Sequence, residues 1–429
     1  MLTHKLSWPK AVVAFSLMGG GVIARESPAE AVGARLEIRV TPGDFLIPNN
    51  AKPIGLGYSG TAPYFDLVLQ TIAFINSGTN RITLEAGQIE VLQGETVLAT
   101  QTIQTAEIQR TNRSATALQR AGFQSGLDVQ YCASSLLPDG IVVSPSLVLG
   151  PKTAALIDDS YIVVRGLPDS VRVTAVASDD EGRTVTAETK ITVQQVQLQN
   201  DYIFPVEPGN WFVMAFPGIK GHHRWTQATE HAIDITMVDP RGSWASGDVH
   251  DWHQGSVEKW SDWYAYNKQV LAAADGTVVK VSDEEEFPLE VWGRKKGETV
   301  NAYMQRIGAL QQQKFLAPNA DPVAVAGGNH IVIEHRGGEH TFYAHLAYGS
   351  IRVEEGESVK QGQHIAGLGG TGEIPAAHLH FQVGVGSFGA LSRTVPVAFQ
   401  NVTVNNPFVQ RYAPALVFQP GFFVEVKVP

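Results

Sequence analysis

The chain has 429 residues, of which 44% are hydrophobic and 17% charged, and its 32 basic and 42 acidic residues give a formal net charge of −10. This length predicts two or three folded units, and the apolar content is too high for a disordered polymer. The acidic balance argues against electrostatic binding of nucleic acid. Cys132 is the only cysteine, which excludes a disulfide-stapled scaffold. No run approaches the ~18 apolar residues of a membrane-spanning helix, so we expect no integral membrane segment.

The first 24 residues have the pattern of a secretory signal peptide. Lys5 and Lys10 give a basic start without an acid, residues 11–24 are apolar (AVVAFSLMGGGVIA), and small residues end the stretch near Ala24. A basic region, a short apolar region and a small-residue cleavage site are the three parts of such a signal. We therefore predict a signal peptide over residues 1–24 and export to a periplasm or the extracellular space.

Residues 34–199 have a β pattern. RLEIRV (35–40) alternates, YFDLVLQTIAFIN (64–76) is rich in strand formers, and residues 171–193 form two alternating runs around a turn that ends at Gly182. Many short strands with turn signals and no helical period are typical of a β-sandwich. We predict an immunoglobulin-like module without a catalytic cluster, which acts as a spacer or as the surface that binds a protein partner.

Residues 201–429 contain 12 of the 13 histidines. In a strand, side chains two residues apart share a face, so His378 and His380 of the HLH sequence point the same way. Asp234 and His345 are likewise polar residues inside apolar strands, and a buried carboxylate is costly unless it is paired or bound to a cation. Zinc binds histidine nitrogen and carboxylate oxygen, and a catalytic site keeps one position open. These residues therefore predict a zinc site.

The order of these segments resembles the lysostaphin/LytM-like zinc metalloendopeptidases. The pattern of that family is His-x-x-x-Asp, then a histidine after a Tyr-x strand, then His-x-His. The matching segments are ATEHAIDITMV (228–238), NHIVIEHRGGEHTFYAHL (329–346) and GESVKQGQHIAGLGGTGEIPAAHLHF (356–381). VLAAADGTVVKVSD (270–283) and VEEGESVKQGQHIAGLGGTG (353–372) resemble the strand pair and the Gly-rich hairpin of the family. The resemblance spans about residues 204–400 and is interrupted by insertions at 239–267 and 284–327.

The resemblance implies an antiparallel β-sheet metallopeptidase domain over residues 201–429. Together with the β pattern of residues 34–199, this predicts an all-β chain with an N-terminal β-sandwich module, and the metallopeptidase domain carries one short inserted helix. It implies Zn²⁺ as cofactor and peptide bonds of peptidoglycan stems or cross-bridges as substrate. Carried over by position, Asp234 and His380 are zinc ligands. His345 and His378 are the catalytic pair that orients or deprotonates the attacking water and stabilises the oxyanion.

The third ligand departs from the family pattern. The family has its first histidine four residues before the aspartate, where this chain has Glu230. His231 is three residues before Asp234, on the opposite strand face unless a bulge intervenes. Glu230 can replace the histidine, His231 can reach through a bulge, or His222 or His223 can come from a neighbouring strand. We rank Glu230 and His222 ahead of His231, and an inactive site is the remaining alternative.

The two insertions differ in pattern. The first contains four of the eight tryptophans, which either line a sugar or peptide cleft or pack against one another. The second contains Val300, Met304, Ile307 and Leu310, spaced as one face of a helix, and we predict a lid or packing helix there.

Two other functions compete with the enzyme. Loss of the usual first histidine favours an inactive LytM-like regulator of other cell-wall hydrolases, and the tryptophans favour a secreted carbohydrate-binding protein. The enzyme is the preferred hypothesis because Asp234, His345, His378 and His380 are all retained.

Overall fold

The structure is a computed structural model, and it describes residues 33–49, 64–215, 223, 228–239, 242–246, 259–318, 320–372, 376–386, 388, 392–406, 409–412 and 422–427. The predicted signal peptide and the candidate ligand His222 lie outside these residues. Within this described part, no helix combines the length and the apolar character needed to cross a bilayer.

The first part of the described chain forms two facing sheets. Its strands are β1 (Leu36–Thr41), β2 (Phe45–Leu46), β3 (Tyr64–Asn76), β4 (Ile82–Gln93), β5 (Thr96–Ile103), β6 (Val142–Val143), β7 (Val148–Leu149), β8 (Thr153–Arg165), β9 (Ser170–Asp179) and β10 (Thr184–Val193). One sheet has the order β1-β3-β8-β6, and the other has the order β2-β10-β9-β4-β5 with β7 beside β4. Phe74 of the first sheet and Ile89 and Val173 of the second are fully buried in one shared core. The two sheets therefore form a sandwich.

Three helices in this region were not expected from the sequence: α1 (Thr105–Arg120), α2 (Gln124–Tyr131) and α3 (Ala133–Leu136). The buried face of α1 has helical spacing but mostly small or polar side chains, namely Ile108, Thr111, Asn112, Ala115 and Thr116. The Asn112 amide oxygen accepts the backbone N–H of Leu156 in β8 at 2.7 Å. A search for apolar residues at helical spacing therefore does not detect α1, because polar side chains occupy part of its buried face and Asn112 is satisfied there by a hydrogen bond to the sheet.

The second part is built on a large antiparallel sheet. Its strands are β11 (Gly209–Ala215), β12 (Ile233–Met237), β13 (Gln269–Leu271), β14 (Gly276–Ser282), β15 (His330–Glu334), β16 (Glu339–Ala344), β17 (Ser358–Val359), β18 (His364–Gly367), β19 (Leu379–Val385), β20 (Arg393–Thr394), β21 (Val402–Asn406), β22 (Val409–Tyr412) and β23 (Phe422–Val426). The order is β17-β14-β15-β16-β19-β12-β11-β23-β21-β22, with β20 beside β19, and β13 pairs separately with β18. The all-β prediction is confirmed.

Strand β19 lies between β16 and β12 and has two different faces. Leu379 and Phe381 are fully buried in the hydrophobic core, as the alternation of HLHF predicts. Phe381 makes an edge-to-face contact with Tyr343 of β16, with ring centroids 5.3 Å apart. This core fixes the three strands against one another, so the opposite face can hold polar side chains in set positions.

The insertions pack onto this domain. The second insertion contains α4 (Leu289–Trp292), α5 (Val300–Phe315) and α6 (Pro322–Gly327). The predicted helical face is partly correct, since Ile307 is buried against Phe287 and Trp292 whereas Val300 is 41% exposed. In the first insertion, Trp244 and Trp263 join the main hydrophobic core, which supports the packing alternative for these two rings.

Three hydrogen bonds among the described residues join the sandwich to the second part of the chain. The Arg393 guanidinium donates to a carboxylate oxygen of Asp44 and to the backbone carbonyl of Phe45, both at 2.5 Å. The Gln70 side-chain amide of β3 donates to the Glu230 carboxylate at 2.9 Å, and both side chains are buried.

Candidate metal centre

Three buried side chains from separate parts of the sequence converge on the polar face of the large sheet. Asp234 of β12 lies directly opposite His380 of β19 in the strand register, and opposite residues in an antiparallel pair have neighbouring side chains. His223 approaches from the segment before β12. His223 Nε2 is 3.2 Å from Asp234 Oδ2, and His380 Nδ1 is 3.0 Å from Asp234 Oδ1. One donor atom from each residue lies within 4.8 Å of the other two, so the three can share one metal ion.

The Asp234 carboxylate is ionised despite its burial. Burial by itself raises the pKa of Asp234, but the charges and hydrogen bonds of His223 and His380 outweigh it and hold the pKa well below the ordinary value. His223 directs its Nδ1–H to the backbone carbonyl of Ala232 at 3.1 Å, which leaves Nε2 free to face the carboxylate. Two imidazole nitrogens and one carboxylate oxygen match the donor preference of zinc, so the residues fit a metal ion of this kind.

His345 and His378 form a second pair beside these donors. Their ring centroids are 4.4 Å apart, and the ring of His345 meets that of His380 edge-on at 5.9 Å. Burial first, and then the neighbouring His378 and His380, hold the pKa of His345 well below its usual value, and burial also lowers the pKa of His378. Both rings are therefore neutral at pH 7, and each has one nitrogen able to accept a proton.

Backbone carbonyls orient this pair. His345 donates its Nδ1–H to the Thr371 carbonyl at 2.7 Å, and His378 donates its Nδ1–H to the Ala376 carbonyl at 2.8 Å. The remaining nitrogen, Nε2, is thus the acceptor in both rings, and that of His378 has no hydrogen-bond partner among the described residues. His345 follows β16 in a left-handed backbone conformation with φ of 62°, which turns its side chain out of the strand alternation.

The structure brings together Asp234, His380, His345 and His378 but places Glu230 and His231 elsewhere. The Glu230 carboxylate accepts a hydrogen bond from Gln70. His231 receives its contacts from Thr394, whose hydroxyl accepts the backbone N–H and whose carbonyl lies 3.0 Å from Nδ1. Neither side chain belongs to the donor cluster found among the described residues.

His223 completes the cluster instead, whereas we rank His222 ahead of it from the sequence. The two histidines are adjacent, and their order in the chain does not reveal which one faces Asp234. The carbonyls of Thr371 and Ala376 that orient His345 and His378 are backbone groups, so residue identity in the sequence does not reveal their role. A hint in the sequence is the glycine-rich run GLGGTG (367–372), where Gly369 donates its backbone N–H to the His345 carbonyl at 3.0 Å.

A cleft of about 360 Å³ adjoins the histidine pair at Thr371. Aromatic side chains of both insertions line it, including Trp260, Tyr266 and Phe287. Trp260 stacks on Tyr266 with ring centroids 5.7 Å apart, and its indole N–H donates to the Phe287 carbonyl at 2.9 Å. The two insertions therefore meet at the edge of the candidate centre.

Comparison with known proteins finds a family match within the second part of the chain. Residues 307–389, which include His345, His378 and His380, match the model described as "Peptidase family M23". The match is confined to this segment, and there it confirms the resemblance to the lysostaphin/LytM-like peptidases.

Two curated proteins of Vibrio cholerae serotype O1 are similar to parts of the chain. "Peptidoglycan DD-endopeptidase ShyB" is 48% identical over 56 residues, which are 13% of each chain. "Peptidoglycan DD-endopeptidase ShyC" is 34% identical over 103 residues, which are 21% of this chain and 23% of the relative. The matches therefore span less than a quarter of either relative.

Two solved structures also match. The lysostaphin catalytic domain from Staphylococcus simulans is 20% identical, with coverage of 44% of this chain and 88% of that chain and a TM-score of 0.22. A zinc-containing peptidase from Vibrio cholerae is 14% identical, with coverage of 77% and 79% and a TM-score of 0.22.

Proposed function

We propose that this protein is an exported zinc-dependent metalloendopeptidase that hydrolyses peptide bonds in peptidoglycan stems or cross-bridges. The observation that carries the proposal is the convergence of His223, Asp234 and His380 within 4.8 Å, beside a second pair of neutral histidines. The peptidoglycan substrate is taken from the names of the two Vibrio relatives. Export is taken from the signal-like pattern of residues 1–24.

His223, Asp234 and His380 would hold the ion, in place of the expected set with Glu230, His222 or His231. Zinc bound there would supply Lewis acidity that polarises a scissile carbonyl and lowers the pKa of water. The ionised Asp234 neutralises part of the added charge, which lowers the cost of holding a cation in a buried site.

His345 and His378 would move the protons. Both are neutral and both keep Nε2 as the acceptor, because their Nδ1–H groups are bound to backbone carbonyls. One ring can take the proton of the attacking water, and in its protonated form it can donate to the oxyanion or to the leaving amine. Retention of this pair favours an enzyme over an inactive regulator, since a regulator has no use for two oriented proton acceptors.

The test measures zinc content and peptide release from purified sacculi with the full chain. We expect the wild type to bind zinc and to lose its activity in o-phenanthroline. Asp234→Ala should lose zinc and activity together, whereas His345→Ala should keep zinc and lose about 10²–10⁴-fold in rate.

His364→Ala is the matched control. His364 of β18 is half-buried, and its Nε2 contacts the backbone carbonyl of Ala366 two residues away in the same strand. The variant should keep both properties. Digestion that continues unchanged in chelator, or unchanged zinc content in Asp234→Ala, would refute the proposal.

A further inference from the structure

The candidate ligand His380 has a side-chain partner on its outer nitrogen. His380 Nε2 lies 3.0 Å from the amide oxygen Oε1 of Gln382, and Nδ1 of the same ring faces Asp234. The two residues are two positions apart in β19, so their side chains share a face of the strand. Both are buried, with 7% and 3% of their surface exposed.

The tautomer of His380 decides whether it can bind a cation. A neutral imidazole carries one N–H, and only its other nitrogen has a lone pair for a metal ion. If Nδ1 is to face the shared ion, Nε2 must carry the proton, and a buried N–H without an acceptor is costly. Gln382 supplies that acceptor.

His223 also has one ring nitrogen bound to an outer partner and the other facing Asp234, but the roles of Nδ1 and Nε2 are the reverse of those in His380. Its Nδ1–H is bound to the Ala232 carbonyl, and its Nε2 faces Asp234. That partner is a backbone group and is unchanged by most substitutions. Gln382 is a side chain, so the contribution of an outer partner can be measured there.

We propose that Gln382 is a positioning residue of the metal centre, which holds His380 in the Nε2–H tautomer and so presents Nδ1 to the ion. The inference rests on the proposed function, because it concerns the affinity of the same site for zinc. Outer hydrogen-bond partners of ligating histidines change metal affinity by about 10- to 100-fold when they are removed.

Two substitutions of Gln382 by residues of similar size show whether its role depends on accepting the hydrogen bond or only on filling space. Gln382→Glu keeps an acceptor oxygen, and an ionised carboxylate cannot donate in the opposite direction. Gln382→Met keeps a chain of similar length but offers only a weak thioether acceptor. We expect the zinc Kd to rise about 10- to 100-fold in Gln382→Met and to stay near the wild-type value in Gln382→Glu.

The measurement is competition for zinc between each full-length variant and a chromophoric chelator at pH 7.5. Thermal unfolding of the metal-free variants reports whether each has kept its fold. A wild-type Kd in folded Gln382→Met, or equal losses in both folded variants, would overturn the inference.

If the substitutions prevent folding, the tautomer of His380 can be measured in the wild-type protein instead. Nitrogen-15 shifts of the zinc-loaded wild type should show His380 protonated at Nε2, and protonation at Nδ1 overturns the inference. A wild type that binds no zinc overturns the proposed function as well, whereas a zinc-loaded wild type with an insensitive Gln382 overturns this inference alone.

Discussion

Glu230 offers the clearest test of which side chains belong to the metal centre. It occupies the position where the family has its first histidine, yet its carboxylate accepts the amide N–H of Gln70, 160 residues earlier, at 2.9 Å. Glu230 is 6% exposed and Gln70 is 1% exposed, so water does not readily replace either partner. We expect Glu230→Ala to reduce stability and to leave zinc binding unchanged.

The size of the effect follows from the kind of bond. Glu230→Ala leaves the buried amide N–H of Gln70 without this acceptor, and an unsatisfied buried donor costs about 1–3 kcal/mol, so the free energy of unfolding should fall by about 2 kcal/mol. That is roughly a thirtyfold increase in the unfolding equilibrium constant. Glu230→Gln keeps an acceptor oxygen for the Gln70 amide and should lose at most about 1 kcal/mol.

The assay is urea denaturation of the metal-free protein, together with zinc titration of the same variants. A double-mutant cycle with Gln70→Ala should give a coupling energy of about 1 kcal/mol or more, since the two side chains touch. His223→Ala is the opposite case, with weakened zinc binding as its main effect. A Glu230→Ala variant that loses zinc at unchanged metal-free stability would refute the placement of Glu230 outside the centre.

Three further outcomes can be measured by denaturation. Burial lowers the pKa of His340 to about 4, so the unfolded state takes up the proton first as the pH falls from about 6.5. The free energy of unfolding should therefore decrease toward pH 4, by on the order of 3 kcal/mol from this group, and His340→Gln should flatten the slope. Gly372→Ala should cost about 1–3 kcal/mol, because Gly372 has φ of 92° and an added Cβ would collide with the Ala326 carbonyl oxygen; an unaffected variant would contradict this turn geometry. Arg393→Met removes the donor to both Asp44 and the Phe45 carbonyl and should cost about 1–3 kcal/mol. Asp44→Ala removes only the largely exposed partner and should cost less than about 1 kcal/mol, and equal losses in the two variants would contradict this difference.

Much of the second part of the chain could be predicted, because the sequence patterns that indicate its strands and helix lie within short segments. The HLHF alternation places Leu379 and Phe381 in the core, and the spacing around Ile307 predicts α5. Helix α1 was missed because Thr111, Asn112 and Thr116 occupy its buried face, where a hydrophobic pattern expects apolar residues.

The sequence by itself determined that the chain is all-β, that its second part resembles a peptidase family, and that Asp234, His345, His378 and His380 are the residues to examine. Strand alternation and the order of motifs depend on residues close together in the sequence, so they can be recognised without the three-dimensional structure. Only the tertiary structure decided that His223 faces Asp234 while Glu230 pairs with Gln70. These choices depend on the pairing of β12 with β19 and on contacts between residues up to 160 positions apart, and a local pattern does not encode such distances.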